Sequence, residues 1–157
     1  INNFETQIAN DNSDGQIVLS GKNKDLEHLS KILKDKKVKN IKLPVSAPFH
    51  CSLMNKATGI MSKELSKVEF KDSKNILISN VTADEISDSK NLRELLIRQI
   101  ENRVRWRESV INMINKGVNQ FIEIGPGKVL SGLVKRINND VKISTINNQI
   151  DIESLII

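Results

Sequence analysis

The sequence predicts a mixed α/β fold that contains a parallel sheet. Short apolar runs bounded by glycine, proline or aspartate are typical of strands, whereas longer segments whose apolar residues recur every three or four positions are typical of helices. From Asn75 to the end of the chain these two patterns alternate. Because such alternation is typical of crossover units between parallel strands, the second half of the chain is predicted to form a parallel sheet.

The first 45 residues predict a strand, a helix and a second strand. Residues 16 to 19 form an apolar run between glycines, and residues 25 to 33 repeat their leucines and isoleucines at helical spacing. Residues 38 to 43 are again rich in apolar side chains and are closed by a proline, which predicts the second strand. The polar stretch over residues 9 to 16 predicts only a turn.

The remaining segments predict further helices and strands in alternation. Helices are predicted over residues 52 to 68, 88 to 101, 106 to 116 and 129 to 137, with a short terminal helix from Gln149. Strands are predicted over residues 76 to 79, 121 to 124 and 142 to 146. The helix before Gly117 is expected to end there, because glycine is common just past the last residue of a helix.

Composition limits the class of protein. The 157 residues carry a net charge of +5, but the lysines are mixed with acidic residues and aromatics make up only 3% of the chain. Nucleic-acid binding relies on clustered positive charge and stacking rings, so nucleic acid is not expected as a partner. No run approaches the roughly 18 apolar residues of a membrane span, and no membrane association is expected.

Two further expectations concern the location and the extent of the chain. Cys51 is the single cysteine, so no disulfide can form within the chain, which fits a cytoplasmic protein. The chain begins with Ile1, and its first residues resemble the interior of a fold. We therefore interpret the sequence as part of a longer protein.

His50 is the first candidate for chemistry. It lies between a loop punctuated by prolines and a predicted helix start, where it could act as a general base or simply cap the helix. The local pattern alone favours the structural role. Cys51 follows directly, but neighbouring side chains on a helix diverge, which disfavours a Cys-His pair. With His28 as the other histidine and a single cysteine, no metal site is expected.

A second candidate is the glycine turn from Gly125 to Lys128, between a predicted strand and a predicted helix. Such a turn can hold phosphate on helix amides. The spacing does not match a P-loop, however, and Leu130 stands where a dinucleotide motif needs its third glycine. A tight structural turn is the default interpretation. The four arginines from Arg98 to Arg107 are interpreted in the same way, as a solvated helix end.

Four motifs follow one another along the chain. They are Asn-x-Asn-x-x-Gly-Gln at residues 10 to 16, Pro-Val-Ser-x-Pro-x-His-Cys-x-Leu-Met at 44 to 54, Arg-Gln-x-x-Asn-x-Val-x-Trp at 98 to 106, and Ile-Gly-Pro-Gly-Lys-Val-Leu at 124 to 130. In order and spacing they resemble malonyl-CoA:acyl carrier protein transacylases of bacterial type II fatty acid synthesis. The resemblance extends from about Ala9 to Arg136.

The resemblance implies a fold and a reaction. The family fold is an α/β-hydrolase-like acyltransferase core with an inserted ferredoxin-like small subdomain. Residues 1 to 45 would be the later part of that subdomain, and residues 46 to 157 the carboxy-terminal part of the core. A serine takes malonyl from coenzyme A and passes it to the phosphopantetheine thiol of acyl carrier protein, with both thioesters as substrates and no further cofactor.

The resemblance also implies roles for individual residues. His50 matches the catalytic histidine, and Gln99 matches the residue whose main-chain carbonyl orients it. Phe49 would crowd the α-methyl group of methylmalonyl, so a malonyl preference is expected. Polar residues near coenzyme A are matched by Asn10, Asn12 and Gln16, and residues that dock the carrier protein by Lys135 and Arg136.

The nucleophile is missing from this chain. No Gly-x-Ser-x-Gly segment occurs in it, so the serine is expected upstream in the same protein, and the chain alone is expected to be inactive. One alternative is a non-catalytic, acyltransferase-like module that binds acyl carrier protein or coenzyme A. A weaker alternative is a nucleotide-binding α/β domain that depends on Gly125 to Lys128.

Overall fold

The computed structural model describes residues 5 to 155. Within this range lie six strands: β1 (Thr6–Ser13), β2 (Gln16–Gly21), β3 (Leu77–Ile78), β4 (Glu85–Ile86), β5 (Gln120–Ile124) and β6 (Lys142–Ile146). The same range contains six α-helices: α1 (Asn23–Asp35), α2 (Asn55–Leu65), α3 (Ser89–Arg98), α4 (Trp106–Asn115), α5 (Val129–Ile137) and α6 (Gln149–Leu155). A 3₁₀ turn, Ser52–Met54, precedes α2.

The β5–α5–β6 unit follows the predicted pattern. β5 and β6 pair in parallel, from Gln120 opposite Lys142 to Ile124 opposite Ile146, and α5 connects them. The predicted bounds of α5 and β6 are confirmed. The prediction of a parallel sheet holds only for this pair, because β3 and β4 form a separate antiparallel pair of two residues each.

The prediction that residues 9 to 16 form only a turn is wrong. β1 extends through Ser13 and pairs antiparallel with β2, and only Asp14 and Gly15 form the turn between them. The buried side chains of β1 include Thr6 and Asp11, which are polar. Because the inward positions carry polar residues, the alternation of apolar and polar side chains that marks a half-buried strand is absent here.

The predicted strand over residues 38 to 43 is also wrong. This segment follows α1 as irregular chain and forms no ladder with any strand between residues 5 and 155. Its apolar side chains are exposed, Ile41 by 74% and Leu43 by 47%. A strand needs a neighbour for its hydrogen bonds, and an apolar pattern alone does not supply one.

The hairpin of β1 and β2 is anchored to the helices that follow. The backbone N–H of Asp11 donates to the carbonyl of Val104 over 2.9 Å, and the N–H of Val104 donates to the carbonyl of Ala9 over 2.8 Å. The guanidinium of Arg107, on α4, contacts both carboxylate oxygens of Asp11 at 3.1 and 3.2 Å. β1, α4 and α5 therefore pack together, around the buried Val110 and other core side chains.

Several apolar side chains on or next to β3, β5 and α5 are exposed. Ile124 is 77% exposed at the end of β5, Val129 is 73% exposed at the start of α5, and Ile76 is 74% exposed before β3. Of the helices between residues 5 and 155, none is both long and apolar enough to cross a bilayer.

Candidate functional site

His50 occupies an unusual backbone conformation. Its φ is +59°, in the left-handed region that costs an L residue about 1 to 2 kcal/mol. The neighbouring residues hold this conformation from both sides. The thiol of the buried Cys51 donates to the carbonyl of Pro48 over 3.1 Å, and the N–H of Ser52 donates to Oε1 of Gln7 over 2.8 Å. Backbone strain retained in this way is typical of functional positions.

The imidazole of His50 contacts the end of α3. Its Nδ1 lies 2.9 Å from the main-chain carbonyl oxygen of Gln99. A carbonyl oxygen can only accept, so in the neutral ring the proton sits on Nδ1 and Nε2 is left with its lone pair. This tautomer is the one that a general base needs to remove a proton from a hydroxyl.

The carbonyl of Gln99 is free for this contact because Gln99 caps the carboxy-terminal end of α3. The helix ends at Arg98, and the last carbonyls of a helix have no partner within it. Asp88 caps the start of the helix, because its side chain accepts a hydrogen bond from the N–H of Asn91 over 2.8 Å. The helix therefore has a fixed start, and its negative end faces the ring.

Asn80 supports Gln99 from the turn between β3 and β4. Its Nδ2 donates to Oε1 of Gln99 over 3.2 Å, and its own carbonyl accepts from the N–H of Arg105 over 2.9 Å. The sequence did not predict a role for Asn80. Its one signal was a polar residue just after the predicted strand over residues 76 to 79, where ligand-binding side chains often occur.

Phe49 precedes His50 in the same loop. The ring is 48% exposed, and its backbone N–H donates to the carbonyl of Ala47 over 3.0 Å. Phe49 therefore stands at the surface next to the histidine, and its predicted role in substrate choice stays a prediction.

The predicted coenzyme A residues lie on the hairpin. Asn10 and Asn12 are half-buried on β1, and Gln16 begins β2. The guanidinium of Arg136, on the last turn of α5, donates to Oε1 of Gln16. The structure thus joins the set predicted for coenzyme A to the set predicted for the carrier protein. Lys135 is exposed beside Arg136 on the same turn of α5.

The glycine turn after β5 is already occupied by protein groups. The carboxylate of Glu123 accepts from the N–H groups of Leu130 and Ser131 over 3.0 and 2.7 Å. Hydrogen bonding from Ser131 and Leu130 lowers the pKa of Glu123 below its usual value. The N–H of Gly127 donates to Oδ1 of Asn147 over 2.6 Å. A phosphate would have to displace these acceptors, which disfavours the nucleotide-binding alternative.

A cavity of about 350 Å³ does not have His50 among its lining residues. It is lined by the turn around β4 and by α3, from Thr82 to Arg98. Among residues 5 to 155, no three potential metal ligands converge. The arrangement with the clearest chemistry is therefore the pair of His50 and Gln99.

Comparison with known proteins finds relatives that match most of the chain. The chain is 43% identical over 148 residues to the malonyl CoA-acyl carrier protein transacylase of Bacillus subtilis, and 38% identical over 146 residues to that of Staphylococcus aureus. These matches cover 94% and 92% of the chain. The chain corresponds to the carboxy-terminal portion of malonyl-CoA:acyl carrier protein transacylases. No family model matches it.

Solved structures give the same relationship. The acyl-carrier-protein S-malonyltransferase of Bartonella henselae superposes with a TM-score of 0.90 at 43% identity, and the Clostridium perfringens transacylase with 0.90 at 40%. Both matches cover 95% of the chain. The chain therefore shares the α/β acyltransferase fold of these transacylases.

The relationship has a limited extent. The chain spans 47% of the length of the two curated relatives, and 48% and 47% of the two solved structures. A third solved relative, 34% identical with a TM-score of 0.90, is a malonyl-transacylase in complex with a type II polyketide acyl-carrier protein. The match with this third structure covers 95% of our chain and 48% of the solved transacylase chain.

Proposed function

We propose that this chain is the histidine-bearing portion of an acyltransferase that moves malonyl from coenzyme A to acyl carrier protein. The observation that carries the proposal is the contact between Nδ1 of His50 and the carbonyl of Gln99. It leaves Nε2 able to accept a proton from a hydroxyl. The nucleophilic serine is supplied from outside this chain, which lacks a Gly-x-Ser-x-Gly elbow.

In the first half-reaction, Nε2 of His50 takes the proton of the serine hydroxyl as the oxygen attacks the malonyl thioester carbon. The tetrahedral intermediate collapses, the bond from carbon to sulfur breaks, and the departing coenzyme A thiolate takes the proton back from the imidazolium. In the second half-reaction, His50 deprotonates the phosphopantetheine thiol of the carrier. The thiolate attacks the malonyl-serine ester, and the serine oxygen leaves with the proton from His50.

The Gln99 carbonyl takes the place that a carboxylate occupies in many triads. As a neutral acceptor it fixes the tautomer and orientation of His50, and it stabilises the imidazolium less than an ionised Asp does. Positioned acid-base catalysis by the imidazole contributes roughly 10² to 10⁴ in rate.

Phe49 is proposed to favour malonyl over methylmalonyl. Its ring neighbours His50 along the chain and is exposed, so it is available to crowd an α-methyl group on an acyl unit at the histidine. Discrimination by a single methyl group amounts to about 1 to 3 kcal/mol.

The hairpin and the end of α5 are proposed to meet the two thioester carriers. Asn10, Asn12 and Gln16 would bind coenzyme A, and Lys135 and Arg136 would contact an acidic acyl carrier protein. The contact between Gln16 and Arg136 supports a continuous surface for both. The solved relative in complex with an acyl-carrier protein supports the choice of partner.

We propose further that residues 46 to 157 form the carboxy-terminal part of an α/β-hydrolase-like core, and residues 1 to 45 the later part of a ferredoxin-like subdomain. The parallel β5–α5–β6 crossover supports the first assignment, and the hairpin followed by α1 supports the second. The rest of the transacylase would cover the exposed Ile124 and Val129. A cytoplasmic location fits a single reduced cysteine.

The test uses the complete protein with His50→Asn, because asparagine tolerates a positive φ and lacks a general base. Acylation of the enzyme by radiolabelled malonyl-CoA is expected to slow by at least about 10²-fold. His28→Asn is the matched control and is expected to keep the wild-type rate. Wild-type acylation by His50→Asn would contradict the proposal, and carrier or coenzyme A binding without transfer by the unaltered protein would support the non-catalytic alternative.

A further inference from the structure

We propose that Asn80 is a positioning residue that fixes the carbonyl of Gln99 and, through it, the orientation of the His50 ring. The inference rests on the proposed function. Its basis is two hydrogen bonds that meet at Gln99, one at its side chain and one at its main chain. Nδ2 of Asn80 donates to Oε1 of Gln99 over 3.2 Å, and the main-chain carbonyl oxygen of Gln99 lies 2.9 Å from Nδ1 of His50.

Gln99 needs such support because it lies just past the end of α3. Its N–H still donates to the carbonyl of Leu95 over 2.9 Å, but the chain then leaves the helix through a turn. Helix ends fray readily, and the direction of the last carbonyls changes when they do. A hydrogen bond to the Gln99 side chain restrains the residue whose carbonyl meets the imidazole.

Asn80 is itself held firmly. The turn from Ser79 to Asp84 is closed by the N–H of Ala83, which donates to the carbonyl of Ser79 over 2.8 Å, and by the N–H of Ser79, which donates to the carbonyl of Asp84 over 2.9 Å. Ser79 is buried, and its hydroxyl accepts from the N–H of Val81 over 3.1 Å. Asn80 thus extends its amide from a rigid turn.

Asn80 hydrogen-bonds both ends of the segment that follows α3, from Gln99 to Arg105. Its side chain holds Gln99, and its main-chain carbonyl accepts from the N–H of Arg105 over 2.9 Å. Removing only the side chain keeps the main-chain link at Arg105 and releases Gln99. Small misplacements of a catalytic group cost large factors in rate, roughly 10²-fold for 1 Å.

The test compares Asn80→Ala and Asn80→Leu with a matched control, Asn112→Ala, in the complete protein. Asn112 also donates an amide hydrogen bond to this turn, to the carbonyl of Ala83 over 2.9 Å, and makes no hydrogen bond to Gln99. The two Asn80 variants are expected to lower the kcat for malonyl transfer by roughly 10- to 100-fold with KM for malonyl-CoA unchanged. The control is expected to retain kcat.

A spectroscopic readout separates positioning from general loosening. Ring ¹⁵N shifts of His50, with His28 as internal reference, are expected to show the Nδ1–H tautomer in the wild type and the control. In either Asn80 variant they are expected to show a mixture of tautomers. Because this readout does not require turnover, it tests Asn80 even where malonyl transfer is absent.

A double-mutant cycle gives the decisive outcome. In a Gln99→Ala background, adding Asn80→Ala is expected to cause no further loss of kcat, because the acceptor it acts through is already gone. Additive losses, or an unchanged tautomer in a folded Asn80 variant, would overturn the proposal. Loss of transfer on His50→Asn with an unchanged rate on Asn80→Leu would overturn the role of Asn80 and leave the proposed function standing.

Discussion

Glycine at position 50 is expected to give a more stable protein than alanine. Both substitutions remove the imidazole and its hydrogen bond to Gln99, so their difference reports only the backbone at φ +59°. The left-handed conformation costs alanine about 1 to 2 kcal/mol and costs glycine almost nothing. The greater conformational freedom of glycine in the unfolded chain destabilises His50→Gly relative to His50→Ala by about 0.4 to 1 kcal/mol, which offsets part of this advantage. The net expectation is that the free energy of unfolding of His50→Gly exceeds that of His50→Ala by about 0.8 kcal/mol, the middle of a range of about 0 to 1.6 kcal/mol.

The assay is urea denaturation of the complete protein followed by circular dichroism, with equal slopes required for comparison. Lys56, on the exposed side of α2, provides the control pair. There Lys56→Gly should be less stable than Lys56→Ala by about 1 kcal/mol, because the backbone is helical. If glycine were also the less stable choice at position 50, the loop would not hold the histidine in the strained conformation. The account of the site as a strained position would then be refuted.

Two more predictions follow from Glu123 and Phe49. Hydrogen bonds from Ser131 and Leu130 lower the pKa of Glu123 in the folded protein, so its contribution to stability is complete above its unfolded value of about 4.3 and is lost as pH falls through the folded pKa. Glu123→Gln should therefore have a lower free energy of unfolding than wild type at pH 7. Urea titrations should show this difference in free energy disappearing below about pH 4.3. A difference that does not change with pH would exclude the Glu123 carboxylate as its cause. For Phe49→Ser, the ratio of kcat/KM for malonyl-CoA over methylmalonyl-CoA should fall by roughly 10-fold or more, and an unchanged ratio would remove the ring from substrate choice.

The helices and the parallel strand pair could be predicted because their apolar residues follow the geometry of each element. α5 and β6 have the predicted bounds. β1 could not be predicted, because Asp11 is buried through its ion pair with Arg107, 96 residues away. No local sequence pattern indicates that a distant arginine will pair with Asp11. Residues 38 to 43 show the converse. Their pattern is that of a strand, but no strand between residues 5 and 155 pairs with them.

The candidate site was predictable only in part. His50 taken alone favoured a structural role, and its contact with Gln99 joins residues 49 positions apart, which periodicity cannot reveal. The order and spacing of four motifs suggested the pair. Asn80 carries no comparable signal, because its importance depends on a side-chain hydrogen bond across 19 positions.

β1 contacts both segments of the histidine site, the loop that carries His50 and the chain that follows Gln99. Oε1 of Gln7 accepts from the N–H of Ser52, just beyond the histidine, and the main chain of β1 hydrogen-bonds Val104, just beyond the Gln99 turn. One strand therefore holds the loop that carries the imidazole and the segment that carries the carbonyl. Asn10 and Asn12, which we propose bind coenzyme A, lie on the same strand, so the proposed substrate contacts and the proposed catalytic pair would share one support.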